Sequence, residues 1–377
     1  MSSSKKVGLL AFAGRSSGGI YQYTQSMIDA LHVAGVKNLV IFTGEESYQC
    51  YDFEVRSIRE SGAHGIVQDA ARAGALILGL RTRQFLADSV HKSLADCALL
   101  VSPVPSPFLF WSGIPFIVTI HDFQERYYPE YFSKRDRLRR YLMNCALARG
   151  AVKLICESEY VKSDIVKFTG ADPAKIEVIQ APPKVMSMKR AAAGADLPEQ
   201  YIFYPAQFWP HKNHATLLEA FSRLAARFPE LALVLTGDRS AYESKVLPRA
   251  KELGLSGRVR CLGYVSDEIL EQAYSRARAV VLPTLFESIS IPVFEAFQHG
   301  VPVCCSRLLA LPEQVGDAGL MFDPHSPDDI AAKVAEVLND SSLAAKLVER
   351  GRERLRLFSS EKYGKKLAAL IADRAPS

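Results

Sequence analysis

The stretch 283–305, PTLFESISIPVFEAFQHGVPVCC, decides how the rest of this chain is read. It opens on a turn that holds Phe286 and Glu287, then passes through Ser288 and Ser290 to Pro292. Proline is tolerated in the first turn of a helix, where the N–H it lacks would have no partner anyway. Val293, Phe294, Ala296 and Phe297 continue as a largely apolar helix, and Gly300 supplies its stop. Residues 301–305, VPVCC, then read as a short buried strand. Glu287 lies in the loop and Glu295 one turn inside the helix. Between them are helix-start N–H groups with no partner inside the helix, and together with the helix dipole they form an anion site. Carboxylates that accept from hydroxyls, set around amides that hold phosphate, describe a pocket for a sugar nucleotide. The competing reading is a buried amphipathic helix whose glutamates cap and solvate it.

Composition bounds the answer outward from that stretch. At 377 residues the chain suits two domains of ordinary size. Hydrophobic residues make up 48% and charged residues 23%, which is ordinary globular usage and rules out a disordered or fibrous chain. A net charge of +5 suits an anionic ligand or an anionic membrane surface, and its dispersal argues against nucleic acid. The seven cysteines form no C-x-x-C pair and no zinc-spaced cluster, so free thiols in a reducing cytosol are expected. The apolar run near the N-terminus, residues 7–13, is too short to span a membrane and reads as a first strand. The most hydrophobic window, 98–120, contains Pro103, Pro105, Pro107 and Pro115, so it is predicted to be strand, loop and strand.

The first half alternates strands and helices. Strands are predicted at 7–13, 38–42, 98–101, 116–120, 153–156 and 176–179, and helices at 20–33, 70–80, 85–94, 137–147 and 158–168. The helix at 137–147 is predicted to bury a face made of Leu138, Tyr141, Leu142 and Cys145. Residues 181–200, with Pro182, Pro183 and an alanine-glycine run, break the pattern and read as a linker. A second alternating series follows, with strands at 201–204, 232–236, 259–262 and 279–282. Its helices are predicted at 215–228, 242–253, 267–277, 327–339 and from 341 to near the end. Alternation of this kind implies parallel sheets with helices on both faces. Ligands of such sheets bind beyond the carboxyl ends of the strands, here at the cleft between the halves.

The pattern Glu287, seven residues, Glu295, then G-V-P-V at 300–303 resembles the E-x7-E signature of retaining glycosyltransferases of family GT4. The surrounding P-T-x-F-E and P-x-x-E-A make the resemblance specific, and it extends more loosely over nearly the whole chain. It implies a GT-B fold: two Rossmann-like, doubly wound parallel-sheet α/β domains with an interdomain cleft. The expected division is an acceptor-side domain at 1–185, a nucleotide-sugar domain at 186–358, and a last helix at 359–377 crossing back to the first.

The resemblance also implies roles. Glu295 would accept from ribose hydroxyls and Glu287 from hydroxyls of the donor sugar. Ile291 N–H and Lys212 would hold the pyrophosphate, with Ser288, Ile289 and Ser290 along the same loop. The K-N-H run at 212–214 is similar to the family's basic loop, but Gln207 stands near the place where many relatives carry an arginine. Ile120-His121-Asp122, followed by P-E-Y-F at 129–132, is similar to surface-polysaccharide members, in which the histidine reaches the donor sugar. Asp122 itself reads as a turn or cap residue. Gly18 and Gly19 correspond to a loop against the donor phosphate and acceptor, and Val265 to a segment that contacts the nucleobase. His121, Glu287 and Lys212 are thus the expected catalytic groups.

The donor implied is a nucleoside-diphosphate sugar, with GDP-mannose, UDP-hexoses and dTDP- or ADP-sugars all open. The acceptor implied is a saccharide or lipid-linked saccharide in surface polysaccharide synthesis. No D-x-D motif suggests a metal site, so a metal-independent reaction without a cofactor is expected. The basic run 133–140, SKRDRLRR, with Tyr127, Tyr128, Tyr131 and Phe132 before it, could touch anionic lipid or form the solvated face of an ordinary helix. A cytoplasmic protein is expected, either free or peripheral at the inner face of the membrane. A sugar-nucleotide epimerase on the same fold and a non-catalytic sugar-nucleotide-binding protein are the alternatives.

Overall fold

The computed structural model describes residues 5–14, 19–44, 48–58, 86–183 and 196–373. The predicted helix at 70–80 and the Gly18 position lie outside them. The chain divides into two compact units, 1–184 with 358–377, and 185–357.

The first unit is built on a parallel sheet of seven strands among the described residues. In chain order they are β1 (Lys6–Ala11), β2 (Leu39–Thr43), β3 (Glu54–Ser57), β4 (Cys97–Ser102), β5 (Phe116–Thr119), β6 (Lys153–Cys156) and β7 (Ile176–Val178). Their spatial order is β3-β2-β1-β4-β5-β6-β7. The central strands bury nearly every residue, as near-continuous runs such as LVIFT and CALLVS require of a sheet covered on both faces. Side chains alternate between the faces: Val7, Leu9 and Ala11 enter one apolar cluster, while Leu10 enters the other.

The helix Gly19–Val33 covers the first of these faces together with the final helix, Ser360–Ala372, which contributes Tyr363, Leu367, Leu370 and Ile371. The two helices touch at Gly364, where a Cβ would overlap the Ala30 carbonyl oxygen. Backbone cannot yield as a flexible side chain does, so Gly364→Ala should destabilise the first unit by about 1–3 kcal/mol. A thermal unfolding midpoint equal to the wild type would show that the helices separate at no cost.

The second unit carries a six-stranded parallel sheet among the described residues. Its strands are β8 (Gln200–Pro205), β9 (Leu231–Thr236), β10 (Val259–Cys261), β11 (Ala279–Leu282), β12 (Val303–Ser306) and β13 (Gly319–Phe322). They lie in the order β10-β9-β8-β11-β12-β13. Chain order reverses between β8 and β11, so the loops leaving these neighbouring strands diverge to opposite faces and leave a crevice.

Several sequence expectations are corrected. The 98–120 window holds a short helix, Phe108–Ser112, whose five residues are all buried. The edge strand β3 and the strand β13 were not expected; β3 is mostly exposed and polar, so no apolar run marks it. The expected helix at 242–253 starts at Arg239 and passes through a π-turn at Tyr242–Val246. The helix expected at 137–147 runs over Lys134–Gly150 and buries Asn144, Ala146, Leu147 and Ala148. Leu138 and Tyr141, expected to pack inward, are 58% and 37% exposed.

Candidate active site

A cavity of about 190 Å³ opens at the reversal of strand order in the second unit. Its walls come from the loop after β8, through Gln207, Trp209 and Lys212, and the loop after β11, through Thr284, Glu287, Ser290 and Pro292. Four of the sequence-predicted residues, Gln207, Lys212, Glu287 and Ser290, therefore meet in one place.

The two loops are fastened to each other. Leu285 N–H donates to the His211 carbonyl at 2.7 Å, and the Thr284 hydroxyl to the same oxygen at 3.2 Å. Asn213 adopts a left-handed conformation (φ 58°) before the helix His214–Arg227, a conformation asparagine tolerates better than most residues. Its amide donates to the carbonyls of Pro283 at 3.0 Å and Pro324 at 2.8 Å. The Tyr204 hydroxyl donates to the Lys212 carbonyl at 2.9 Å. The end of this clamp is the ion pair Lys212 Nζ–Glu287 Oε2, 2.7 Å apart, with both side chains less than a fifth exposed. The two flanking histidines carry no charge at physiological pH. Burial followed by the Lys212 charge pushes His211 down to about 4 and His214 down to about 3. Lys212 is thus the cation of the H-K-N-H loop.

The helix predicted within 283–305 runs over Ile291–Gln298, with Pro292 in its first turn and Ser290 at its N-cap. The Ser290 side chain makes no capping bond. Gln314 instead grips the Ser290 backbone on both sides, accepting from its N–H at 2.8 Å and donating to its carbonyl at 2.8 Å. This amide-to-amide pair fixes the entry of the chain into the helix and is buried. Glu295 sits on that helix, and the buried Tyr274 hydroxyl donates to its Oε2. The sequence reading missed Gln314, Tyr274 and Asn213, because each acts on a residue distant in the chain. Ser288, Ile289 and Ile291 lie on the loop and at the helix start, beside the cavity wall. Val265 is in the loop after β10, whose exposed Tyr264 reaches the Gln207 Oε1 at 3.4 Å.

His121 belongs to the first unit, where it follows β5. Its ring is held from three sides. Nδ1 lies 2.9 Å from Glu157 Oε2, Nε2 lies 2.8 Å from the Pro103 carbonyl oxygen, and Tyr23 meets the ring edge-on at 4.7 Å. A carbonyl can only accept, so Nε2 donates, and the Glu157 side chain beside Nδ1 favours the doubly protonated ring. Burial alone would lower its pKa, but Glu157 and then the Pro103 carbonyl outweigh that and raise it. Asp122 takes the turn role expected of it, accepting from Gln124 N–H at 3.2 Å and from Arg140 at 3.0 Å. Gly19 opens the helix Gly19–Val33 and is exposed.

Two family descriptions match this chain: "Glycosyl transferases group 1" over residues 186–354 and "Glycosyltransferase Family 4" over 17–182. The O-antigen chain mannosyltransferase B of Escherichia coli is 34% identical over 260 residues, 65% of this chain and 67% of that protein. A D-inositol 3-phosphate glycosyltransferase of Mycolicibacterium vanbaalenii is 30% identical over 210 residues, 50% of this chain and 46% of the relative. The match spans 45–58% of the length of the inositol-phosphate glycosyltransferases and 24–25% of the serotype-specific mannosyltransferase WbdA of Escherichia coli. Among solved structures, the Anabaena protein HepE in complex with UDP and glucose superposes with a TM-score of 0.75 at 16% identity, covering 98% of this chain and 100% of that one. The sucrose-phosphate synthase of Thermosynechococcus elongatus gives 0.73 at 20% identity, with 98% and 99% covered. Both likenesses speak for the fold, two Rossmann-like α/β domains of the GT-B kind.

Proposed function

We propose a specific reaction from one premise: this chain belongs to glycosyltransferase family 4 and is a sugar-transferring enzyme. A nucleoside-diphosphate hexose binds the second unit, and the hexose passes with retention at the anomeric carbon to a saccharide or lipid-linked saccharide acceptor. The place of this step is surface polysaccharide synthesis, in the cytoplasm or peripherally at the inner face of the membrane. The observation that carries the reading is the Lys212–Glu287 pair on the wall of the switch-point cavity, beside the start of the helix Ile291–Gln298.

In that geometry the Lys212 ammonium and the Ile291 amide take the pyrophosphate. A phosphate arriving at Lys212 competes with Glu287 for its protons and leaves Glu287 oxygens to accept from the donor sugar. Glu295, oriented by Tyr274, accepts from the ribose hydroxyls. Fixed donors around the departing diphosphate stabilise the charge that develops as the glycosidic bond breaks, which is the largest catalytic contribution expected of such a site. For His121, on the first unit, the role proposed is toward the donor sugar in turnover; its Nε2 is engaged by the Pro103 carbonyl and would have to be released first. We propose a metal-free reaction on the ground of the sequence, which has no D-x-D motif placed to mark a metal site.

The first relative is named a mannosyltransferase, which supports mannose as the transferred sugar, and the neighbours solved with UDP and UDP-glucose support a UDP-hexose as the other donor to test. A thermal-shift panel of nucleoside diphosphates reads base preference through ligand linkage. The preferred donor should then give a new glycosidic bond of unchanged anomeric configuration, in EDTA as well as without it. An epimerised free sugar would make the protein an epimerase, an inverted product would overturn retention, and loss in EDTA with rescue by a divalent ion would overturn the metal-free course. Within this site, Glu295→Ala should weaken nucleoside-diphosphate binding about tenfold or more, since a hydrogen bond to a charged group is worth about 1.5–3 kcal/mol. Unchanged binding by calorimetry would remove Glu295 from the ribose.

A further inference from the structure

The helix Lys134–Gly150 presents to solvent the face that its apolar periodicity marks for burial. Leu138, Tyr141, Leu142 and Cys145 recur at three- and four-residue spacing, which aligns them in one stripe. The C-terminal end of the stripe is partly covered: Leu142 and Cys145 are half-buried, and the Cys145 thiol lies 3.8 Å from the Phe168 carbonyl at the end of the helix Glu159–Thr169. Its N-terminal end is open, with Leu138 58% exposed and Tyr141 37%. Tyr131, stacked on Tyr128 at 5.5 Å, adds a third exposed apolar group just before the helix, at 39%.

Basic side chains flank this stripe. Lys134, Arg135 and Arg139 are exposed and Arg137 is half-exposed, and among the described residues none of the four has a carboxylate partner. The acidic residue within the run, Asp136, is occupied at the N-cap, where the Ser133 hydroxyl donates to it at 2.6 Å. Arg140, by contrast, turns inward to Glu125 at 2.8 Å and Asp122 at 3.0 Å, which anchors the helix and separates its structural arginine from the outward basic set. An ordinary solvated helix face mixes charges of both signs and has no reason to expose leucine and tyrosine in line. The combination of an apolar stripe, aromatic rings and unpaired cations is what an anionic lipid interface recognises. Rings and leucine enter the acyl boundary, while the basic groups lie among the headgroups.

We propose that the outward face of Lys134–Gly150, with Tyr131, docks the protein on an anionic bilayer. The surface deepens the peripheral placement proposed above, and it uses none of the donor-site residues. The test is sedimentation of the full chain with vesicles of phosphatidylcholine alone or of phosphatidylcholine with phosphatidylglycerol, at low and high salt. Binding should require the anionic lipid and weaken with salt. The triple variant Lys134→Ala, Arg135→Ala, Arg139→Ala should lose at least tenfold in vesicle affinity, and Leu138→Asp should lose binding with all four cations intact. Unfolding midpoints and nucleoside-diphosphate binding should match the wild type in both variants, so a failure of the donor reading is seen separately from a failure of this one. Wild-type protein that ignores anionic vesicles, binds both vesicles equally, or binds as well after the charges are removed would overturn the proposal. Self-association abolished by Leu138→Asp, without vesicle binding, would assign the face to a protein contact and also overturn it.

Discussion

Replacing His121 by alanine should lower turnover roughly a hundredfold or more while leaving nucleoside-diphosphate affinity within about a factor of two. The reason is the location of the group. His121 is on the first unit, whereas Lys212, Glu287 and Glu295 are all on the second, so a nucleoside diphosphate held by the second unit has no need of it. A positively charged donor aimed at a leaving or reacting oxygen acts in the transition state and appears in kcat, not in ground-state binding. Glu157 provides the control. Glu157→Gln keeps an oxygen for Nδ1–H but removes the charge that holds the ring protonated. The His121 pKa is raised in the folded protein, so the stabilisation from its pairing is fully present below the unfolded value of about 6.5 and fades as pH rises through the raised value. In Glu157→Gln that fading, and the matching limb of the kcat profile, should move to lower pH. Wild-type turnover in His121→Ala would remove the residue from the reaction. Turnover lost together with the unfolding midpoint would leave it a purely structural role.

Lys212→Ala should weaken a nucleoside diphosphate by about tenfold to a hundredfold and the corresponding free nucleoside hardly at all. Charge-assisted hydrogen bonds contribute about 1.5–3 kcal/mol, and in the proposed placement the pyrophosphate is the anionic part of the ligand that meets the Lys212 ammonium. The ion pair complicates a single substitution, because removing Lys212 leaves Glu287 partly buried without its partner. The double variant Lys212→Ala, Glu287→Ala separates the two effects. If Lys212 serves the phosphate, the double variant stays weak for diphosphate even though the stranded carboxylate is gone. Recovery of diphosphate binding in the double variant, or equal losses for nucleoside and diphosphate, would mean that the lysine only neutralises Glu287. Calorimetry on the four proteins decides between these outcomes.

Local chemistry made much of this protein readable in advance. Pro292 and Gly300 bracket a helix whatever surrounds it, and the helix lies at Ile291–Gln298, within one residue of that reading. The apolar runs at 98–101, 232–236 and 279–282 read as strands, and buried strands lie there at Cys97–Ser102, Leu231–Thr236 and Ala279–Leu282. Two such series with helices between them specify two doubly wound sheets, and of the three residues Lys212, Glu287 and Glu295 singled out in the second series, the first two line the cavity. What the tertiary structure decided lies in contacts between positions far apart in the chain, which leave no mark on local pattern. Gln314 holds Ser290 from 24 residues away, and Asn213 holds Pro324 from 111 residues away. The charged form of His121 is favoured by Glu157, 36 residues on, and by the Pro103 carbonyl, which close around the ring. The helix Lys134–Gly150 marks the boundary most clearly. Periodicity aligns Leu138, Tyr141, Leu142 and Cys145 on one side, but only packing determines what stands opposite them, and opposite Leu138 there is solvent.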